Sequence, residues 1–254
     1  MDWVTALQNS LAQGRARLLM QAIIRNEDIA EDRKNVLYNE AILWVDTLPS
    51  EPDLSPDQLI PLLECQGLIT ELDYLVISET ISALEEDHNI RLGCNISAWN
   101  FSDKCSWWER VYARLRDQPT VAKRLTLEIT KTAPIPDFDE AIALIRQLQA
   151  LNCSIAIDVF GRGYTRLDFV RRIRPDVIKI SGDVVQDVDS ERAATELRHL
   201  VNLASMLTEN VVIEGIGSKE KKAMAIAAGA VWLQGSAVLP PAVPRFPITL
   251  NTQA

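Results

Sequence analysis

Two histidines, His88 and His199, and four cysteines, Cys65, Cys94, Cys105 and Cys153, are all that 254 residues offer in imidazole and thiol, and no two cysteines stand in CxxC spacing. A zinc site is therefore poorly supplied, and reduced thiols in a cytoplasmic protein are the expectation. Basic charge is also scarce: 26 lysines and arginines face 35 acids, for a net charge of −9. That balance argues against the basic stripe a nucleic-acid binder needs and against attraction to an anionic membrane surface. An anionic ligand must then be recruited locally, by metal ions or by a few cations. No apolar run approaches the roughly 20 residues of a membrane-spanning helix, and the N-terminal MDWVTALQNSLAQGRARLL lacks a basic segment followed by a long apolar one. It reads as an amphipathic helix, so neither export nor membrane insertion is expected.

What the chain does have is one unit repeated: a short apolar strand closing on a polar residue, then a loop and a helix. From about position 90 the strand ends are Asn95, Glu128, Asp158, Lys179, Glu214 and Gln234. Strands buried on both faces read as such continuous apolar runs, and right-handed crossovers between them imply a parallel sheet. The pattern predicts strands at 90–96, 124–129, 153–158, 176–180, 210–214 and 230–234. Helices are predicted near 105–117 and at 137–151, 165–173, 190–208 and 218–229. Upstream, RLLMQAII and VLYNEAILWV are strands joined by the charged turn RNEDIAEDRKN, an antiparallel pair. LSPDQLIPLLECQG is a helix opened by Ser55 and Pro56 and closed by Gly67. ITELDYLVISETISALEED is a second helix, and LPPAVPRFPITLNTQA is extended. With 47% hydrophobic residues, the prediction is one α/β domain over 1–254, with an N-terminal helix at 1–15 and an extended tail at 240–254. Its architecture is a (β/α) barrel, whose strand ends converge on one mouth where chemistry is done. Three carboxylates, a lysine and two amides at that mouth suggest a metal-dependent site for a phosphate ester.

A set of short segments, met in order along nearly the whole chain, resembles the EAL domain family. Gln21-Ala22-Ile23 resembles its opening Gln-Pro-Ile, and Glu40-Ala41-Ile42 stands where Glu-Ala-Leu lies. PDQLIPLLECQGLI, NISA from Asn95, LEIT ending at Thr130, DVFGRGY from Asp158, VIKI ending at Ile180, EG at Glu214 and QG at Gln234 complete the set. The resemblance implies a modified (β/α)8 barrel with an antiparallel first strand pair, and hydrolysis of cyclic di-GMP to the linear dinucleotide. It further implies that Glu40, Asn95, Glu128 and Asp158 hold a first Mg²⁺ or Mn²⁺, with Asp158 bridging to a second ion that Glu214 helps to bind. Oxygen donors suit such hard cations, and two ions would neutralise phosphate charge and activate water. Lys179 would orient or activate that water, with Glu40 the other residue on which catalysis depends. Gln21, Trp44, Arg162 and Gln234 would contact the ligand.

Several positions depart from the family pattern. Val159 replaces the second of two consecutive aspartates and cannot coordinate a metal. Trp44 replaces an arginine that holds substrate phosphate, and an indole has neither the charge nor the forked donors of a guanidinium. Lys131, Ser181 and Gly217 replace acids, and Gly161-Arg162-Gly163 replaces Gly-Thr-Gly. The second metal site is therefore expected to be lost, with one site left for Mg²⁺ or Mn²⁺. Formal charges put the empty mouth near about −3, which repels a dianionic cyclic dinucleotide; one divalent ion leaves about −1 and two about +1.

Three functions compete. The first is a degenerate, stand-alone EAL regulator of motility or transcription that binds another protein and does not turn over cyclic di-GMP. The second is a weak Mg²⁺- or Mn²⁺-dependent phosphodiesterase, and the third a cyclic di-GMP receptor without turnover, with Trp44 stacking on guanine. A homodimer is an expectation of the resemblance. Trp107, Trp108, Tyr112 and Leu115 fit the core face of a helix better than a partner patch. Arg166, Arg171, Arg172 and Arg174 fit a solvated helix face at least as well as a grip on an acidic partner, and the run Lys219-Glu220-Lys221-Lys222 fits the exposed first turn of a helix.

Overall fold

The computed structural model describes residues 3–28, 35–46, 56–102, 105–130, 134–158, 160–161, 166–182, 191–243 and 248–250. Helix α1 (Trp3–Ala12) precedes two ten-residue strands, β1 (Ala16–Arg25) and β2 (Val36–Val45), which pair antiparallel from Ala16 against Val45 to Ile24 against Val36. A connection of this length is too short for the crossover that parallel pairing requires. Helices α2 (Pro56–Gln66) and α3 (Ile69–Glu86) follow, and Gly67 ends α2 at φ +70, a left-handed conformation that glycine adopts at little cost. Ser55 lies outside the described residues.

Strand and helix then alternate through β3 (Leu92–Ser97), α4 (Trp108–Asp117), the single turn α5 (Pro119–Ala122), β4 (Leu125–Thr130), α6 (Phe138–Ala150), β5 (Ser154–Ile157) and α7 (Leu167–Ile173). The alternation continues with β6 (Val177–Ser181), α8 (Glu191–Ser205), β7 (Asn210–Glu214), α9 (Lys219–Ala227) and β8 (Trp232–Leu233). Strands β2 to β8 are parallel neighbours in sequence order, and β8 meets the far end of β1 antiparallel, Leu233 against Ile24, so the sheet closes into an eight-stranded barrel. A short strand in the C-terminal tail, β9 (Ile248–Leu250), runs antiparallel on the near end of β1. It adds a ninth strand to the sheet, and residues 244–247 and 251–254 of the tail lie outside the described residues.

Most predicted elements lie within a residue or two of these bounds. β8 is shorter than 230–234, spanning Trp232–Leu233, and just beyond it Gly235 passes against Ile216, whose backbone nitrogen would lie 2.3 Å from an added Cβ. The aromatic helix face is core: Trp107, Trp108, Tyr112 and Leu115 are buried, with the two indoles 4.3 Å apart. Arg166, Arg171, Arg172 and Arg174 are exposed, and Arg166 and Arg172 pair with Asp168 and Asp139. No helix among the described residues is long and apolar enough to cross a membrane.

Side chains alternate between the two faces of a strand, and this divides the barrel core into layers. Outward residues such as Leu18, Leu92, Leu127, Ile155, Ile178 and Ile213 pack beneath the helices in the main hydrophobic cluster. Inward residues at the closed end, Ile23, Tyr38, Ala156, Val177 and Val212, form a second, smaller apolar cluster. Two residues nearer the mouth on each of those strands, which on the inverted β1 means two residues earlier, the inward positions turn polar.

Candidate active site

Those polar positions are Gln21, Glu40, Asp158, Lys179 and Glu214, joined by Asn95, Glu128 and Gln234 from the remaining strands. Lys179 is their centre. Its Nζ donates to Glu40 Oε2 at 2.7 Å and to Glu128 Oε2 at 2.6 Å, and lies 3.1 Å from Glu214 and 4.0 Å from Asp158. Glu40 also accepts from Asn95 Nδ2 at 2.7 Å and from Gln234 Nε2 at 2.6 Å. Asn95, Glu128, Asp158, Lys179, Glu214 and Gln234 stand at or close to the C-terminal ends of their strands, while Gln21 and Glu40 lie mid-strand in the longer β1 and β2, and the register brings them together: Asn95 stands beside Glu128, Glu40 beside Gly93 and Gln21 opposite Glu40.

Burial sets the electrostatics. Lys179 is 1% exposed, and burial opposes its charge, but Glu128, Glu40, Glu214 and Asp158 outweigh that and hold the ammonium well above its ordinary pKa. Burial pushes the Glu128 carboxyl up to about 8, helped by the neighbouring Glu40, and Glu214 up to about 7. Glu40 goes the other way: burial opposes its ionisation, but Lys179 and the donors from Gln234 and Asn95 hold it below the usual carboxylate range. The inner ring is thus an ion cluster in which one carboxylate is fixed in the charged form and its neighbours are poised nearer neutrality.

The donor set matches a hard cation in kind. Asn95 Oδ1 is buried without a hydrogen-bond partner beside Glu128, and Glu40, Glu128, Asp158 and Glu214 supply carboxylate oxygens around Lys179. Among the described residues no three of histidine, cysteine, aspartate and glutamate converge on a common point as a ready metal site. The acids converge on the Lys179 ammonium.

Of the residues expected to touch ligand, Gln21 and Gln234 are buried in the barrel, where Gln21 Nε2 donates to Leu239 O at 3.2 Å and Gln234 supports Glu40. Trp44 stands at the rim, 47% exposed, with its Nε1 donating to Asp46. Val159, Arg162 and Lys131 lie outside the described residues. Two participants escaped the sequence reading. Tyr38 is buried near Glu128, and burial and that carboxyl push its pKa well up. Gly93 makes room for it: an added Cβ would fall 2.4 Å from the Tyr38 ring and 2.7 Å from Glu128 Oε1. The inward parity of the two positions was the available signal.

A closed barrel with one inverted strand and an acid-rich ring at the C-terminal ends of its strands places the chain among α/β barrels with a candidate site at the usual mouth. The EAL domain matches residues 4–241, and the chain belongs to that family. It is 30% identical over 200 residues to the cyclic di-GMP phosphodiesterase PdeL of Escherichia coli K12, covering 76% of this chain and 55% of that protein. It is 29% identical over 181 residues to the cyclic di-GMP phosphodiesterase NbdA of Pseudomonas aeruginosa, covering 69% of this chain but only 23% of the relative. The chain therefore spans about a quarter to about half of the length of these relatives. Among solved structures, PaMucR phosphodiesterase in complex with c-di-GMP superimposes with a TM-score of 0.78 at 23% identity, covering 95% of this chain and 98% of that one. The FimX EAL domain from Pseudomonas aeruginosa bound to c-di-GMP gives 0.76 at 22%, covering 95% and 97%. At such identities the likeness is one of fold.

Proposed function

We propose that this chain is a signalling domain that still binds cyclic di-GMP at the barrel mouth, hydrolyses it weakly or not at all, and acts through a protein partner. The observation that carries the reading is the assembled inner ring: four carboxylates and two amides gathered around a buried lysine. Keeping several charges buried together is costly unless geometry and hydrogen bonds are good, so a fold with no use for the ring has little reason to keep it. Against turnover stand Val159, which supplies no ligand for a second ion, and Trp44, which supplies no charge for phosphate.

In this reading Glu40, Asn95, Glu128 and Asp158 would hold one Mg²⁺ or Mn²⁺, which would supply charge neutralisation at a phosphate oxygen and a more acidic water. Lys179, fixed by Glu40 and Glu128, orients water toward the phosphorus. Gln234 and Asn95 hold the Glu40 carboxylate in place, and supporting residues of this kind typically matter tenfold to a hundredfold. Weak phosphodiesterase activity is the second reading, favoured by the same intact ring.

The test is incubation of the purified chain with cyclic di-GMP and Mg²⁺ or Mn²⁺, with Glu40→Ala as background and binding followed in the same samples. Binding with little or no linear dinucleotide above background is expected. Clear product makes the chain an enzyme despite Val159 and Trp44. Neither binding nor product leaves protein partners alone to explain its role.

A further inference from the structure

Arg17 and Trp44 face each other across the β1–β2 ribbon, at the rim of the barrel. Each stands four residues along its strand from the inward pair Gln21 and Glu40, which are also in register. Even spacing keeps a side chain on the same face, so Arg17 and Trp44 continue the inner wall of the mouth roughly 13 Å above the ring. One carboxylate fixes both: Asp46 Oδ1 accepts from Arg17 Nη2 at 3.0 Å and from Trp44 Nε1 at 2.9 Å. The Arg17 Nε, by contrast, is buried and has no hydrogen-bond partner. A charged donor left unmatched in this way is unfavourable. The rest of the arginine side chain reaches solvent at 39% exposure, and the indole at 47%.

A part-exposed guanidinium, beside an indole whose orientation is pinned through its own N–H, fits a particular ligand chemistry: an anion attached to a flat ring. The mouth below is acidic, and Lys179 is already engaged by carboxylates. A dianion entering it needs a cation near the rim. We infer that Arg17 and Trp44 form the rim subsite for a phosphate–purine unit of the ligand, Arg17 holding a phosphate oxygen through the part of its guanidinium that reaches solvent and Trp44 stacking on the base. The inference rests on the cyclic di-GMP reading above and deepens it. Asp46 is the internal anion that holds the guanidinium while the site is free, and it competes with the ligand phosphate for the same charge. The cation thus comes from β1, the strand next to the position where Trp44 offers none.

The experiment measures cyclic di-GMP affinity by titration calorimetry for the wild-type chain and three variants, with folding of each verified by its thermal midpoint. Arg17→Ala is expected to weaken binding about tenfold or more, the range of a hydrogen bond to a charged group. Asp46→Asn, which keeps the arginine and removes its competitor, is expected to strengthen binding. Arg17→Ala combined with Trp44→Arg, which moves the cation across the ribbon, is expected to recover part of the loss. Wild-type binding that Arg17→Ala leaves unchanged overturns this inference and leaves the cyclic di-GMP reading standing. Absence of wild-type binding overturns both. If Arg17→Ala does not fold, Asp46→Asn decides alone, and affinity equal to or below wild type overturns the subsite.

Discussion

The barrel mouth has two storeys, and they are specified by different physics. In the lower one, Glu40, Asn95, Glu128, Lys179 and Gln234 are tied in a buried network where each polar group depends on the others. In the upper one, Arg17, Trp44 and Asp46 are partly exposed and linked by two hydrogen bonds. A change in the lower storey leaves a charge stranded in low dielectric, whereas a change at the rim is absorbed by solvent. The departures from the family pattern at Trp44, Ser181 and Gly217, all positions the structure describes, fall at strand ends or in the loop after β7 and not among the ring residues. The comparison teaches that such a site can drift in specificity and rate while its buried frame stays fixed.

The sharpest way to break the contrast is at its centre. Lys179→Met should destabilise the fold by about 3–5 kcal/mol, because Glu40 and Glu128 lose the partner that compensates their burial; urea unfolding measures it. Next, Val159→Asp with Trp44→Arg should raise linear dinucleotide production at least about tenfold over wild type by restoring a metal ligand and a phosphate cation. A double variant that binds two metal ions and stays inert would show that something else limits turnover. Gly93→Ala overpacks the Tyr38 ring against Glu128, and about 1–3 kcal/mol of stability should go.

Smaller effects sharpen the comparison from outside the mouth. Asp73 on α3 is buried and accepts from Ser97 N and Asn100 Nδ2, both at 2.7 Å, yet burial prevails and raises its pKa to about 7. The folded state therefore holds a proton that the unfolded state releases near pH 4, and this group's contribution to stability is lost as pH rises from about 4 through about 7. Asp73→Asn should flatten that part of a plot of thermal midpoint against pH. Smallest of all, Trp44→Ala should change stability by no more than about 0.5 kcal/mol, as an exposed rim residue, while reducing cyclic di-GMP affinity.

Much of this was legible in the chain. Continuous apolar runs marked β3 to β7 within a residue or two, because strands covered on both faces carry no alternation to confuse them. The polar residue closing each run marked the ring, since a parallel barrel brings all such ends to one rim. The β1–β2 hairpin followed from its short charged connection. The pairing of β9 with β1 was not legible: a three-residue strand far along the chain carries no local signal of its partner. The same holds for the part Gly93 plays, which appears only when Tyr38 from another strand lies over it.

By itself the sequence determined which residues are strands, which helices, and which six strand ends carry polar residues, because hydrophobic periodicity and turn composition are local properties. Only the tertiary structure decided that Lys179 is the centre of the acids, that Gln21 and Gln234 face inward as supports, and that Arg17 stands across from Trp44. Those are matters of register and burial, set by how strands distant in sequence align, and a chain read one residue at a time does not contain the distances between them.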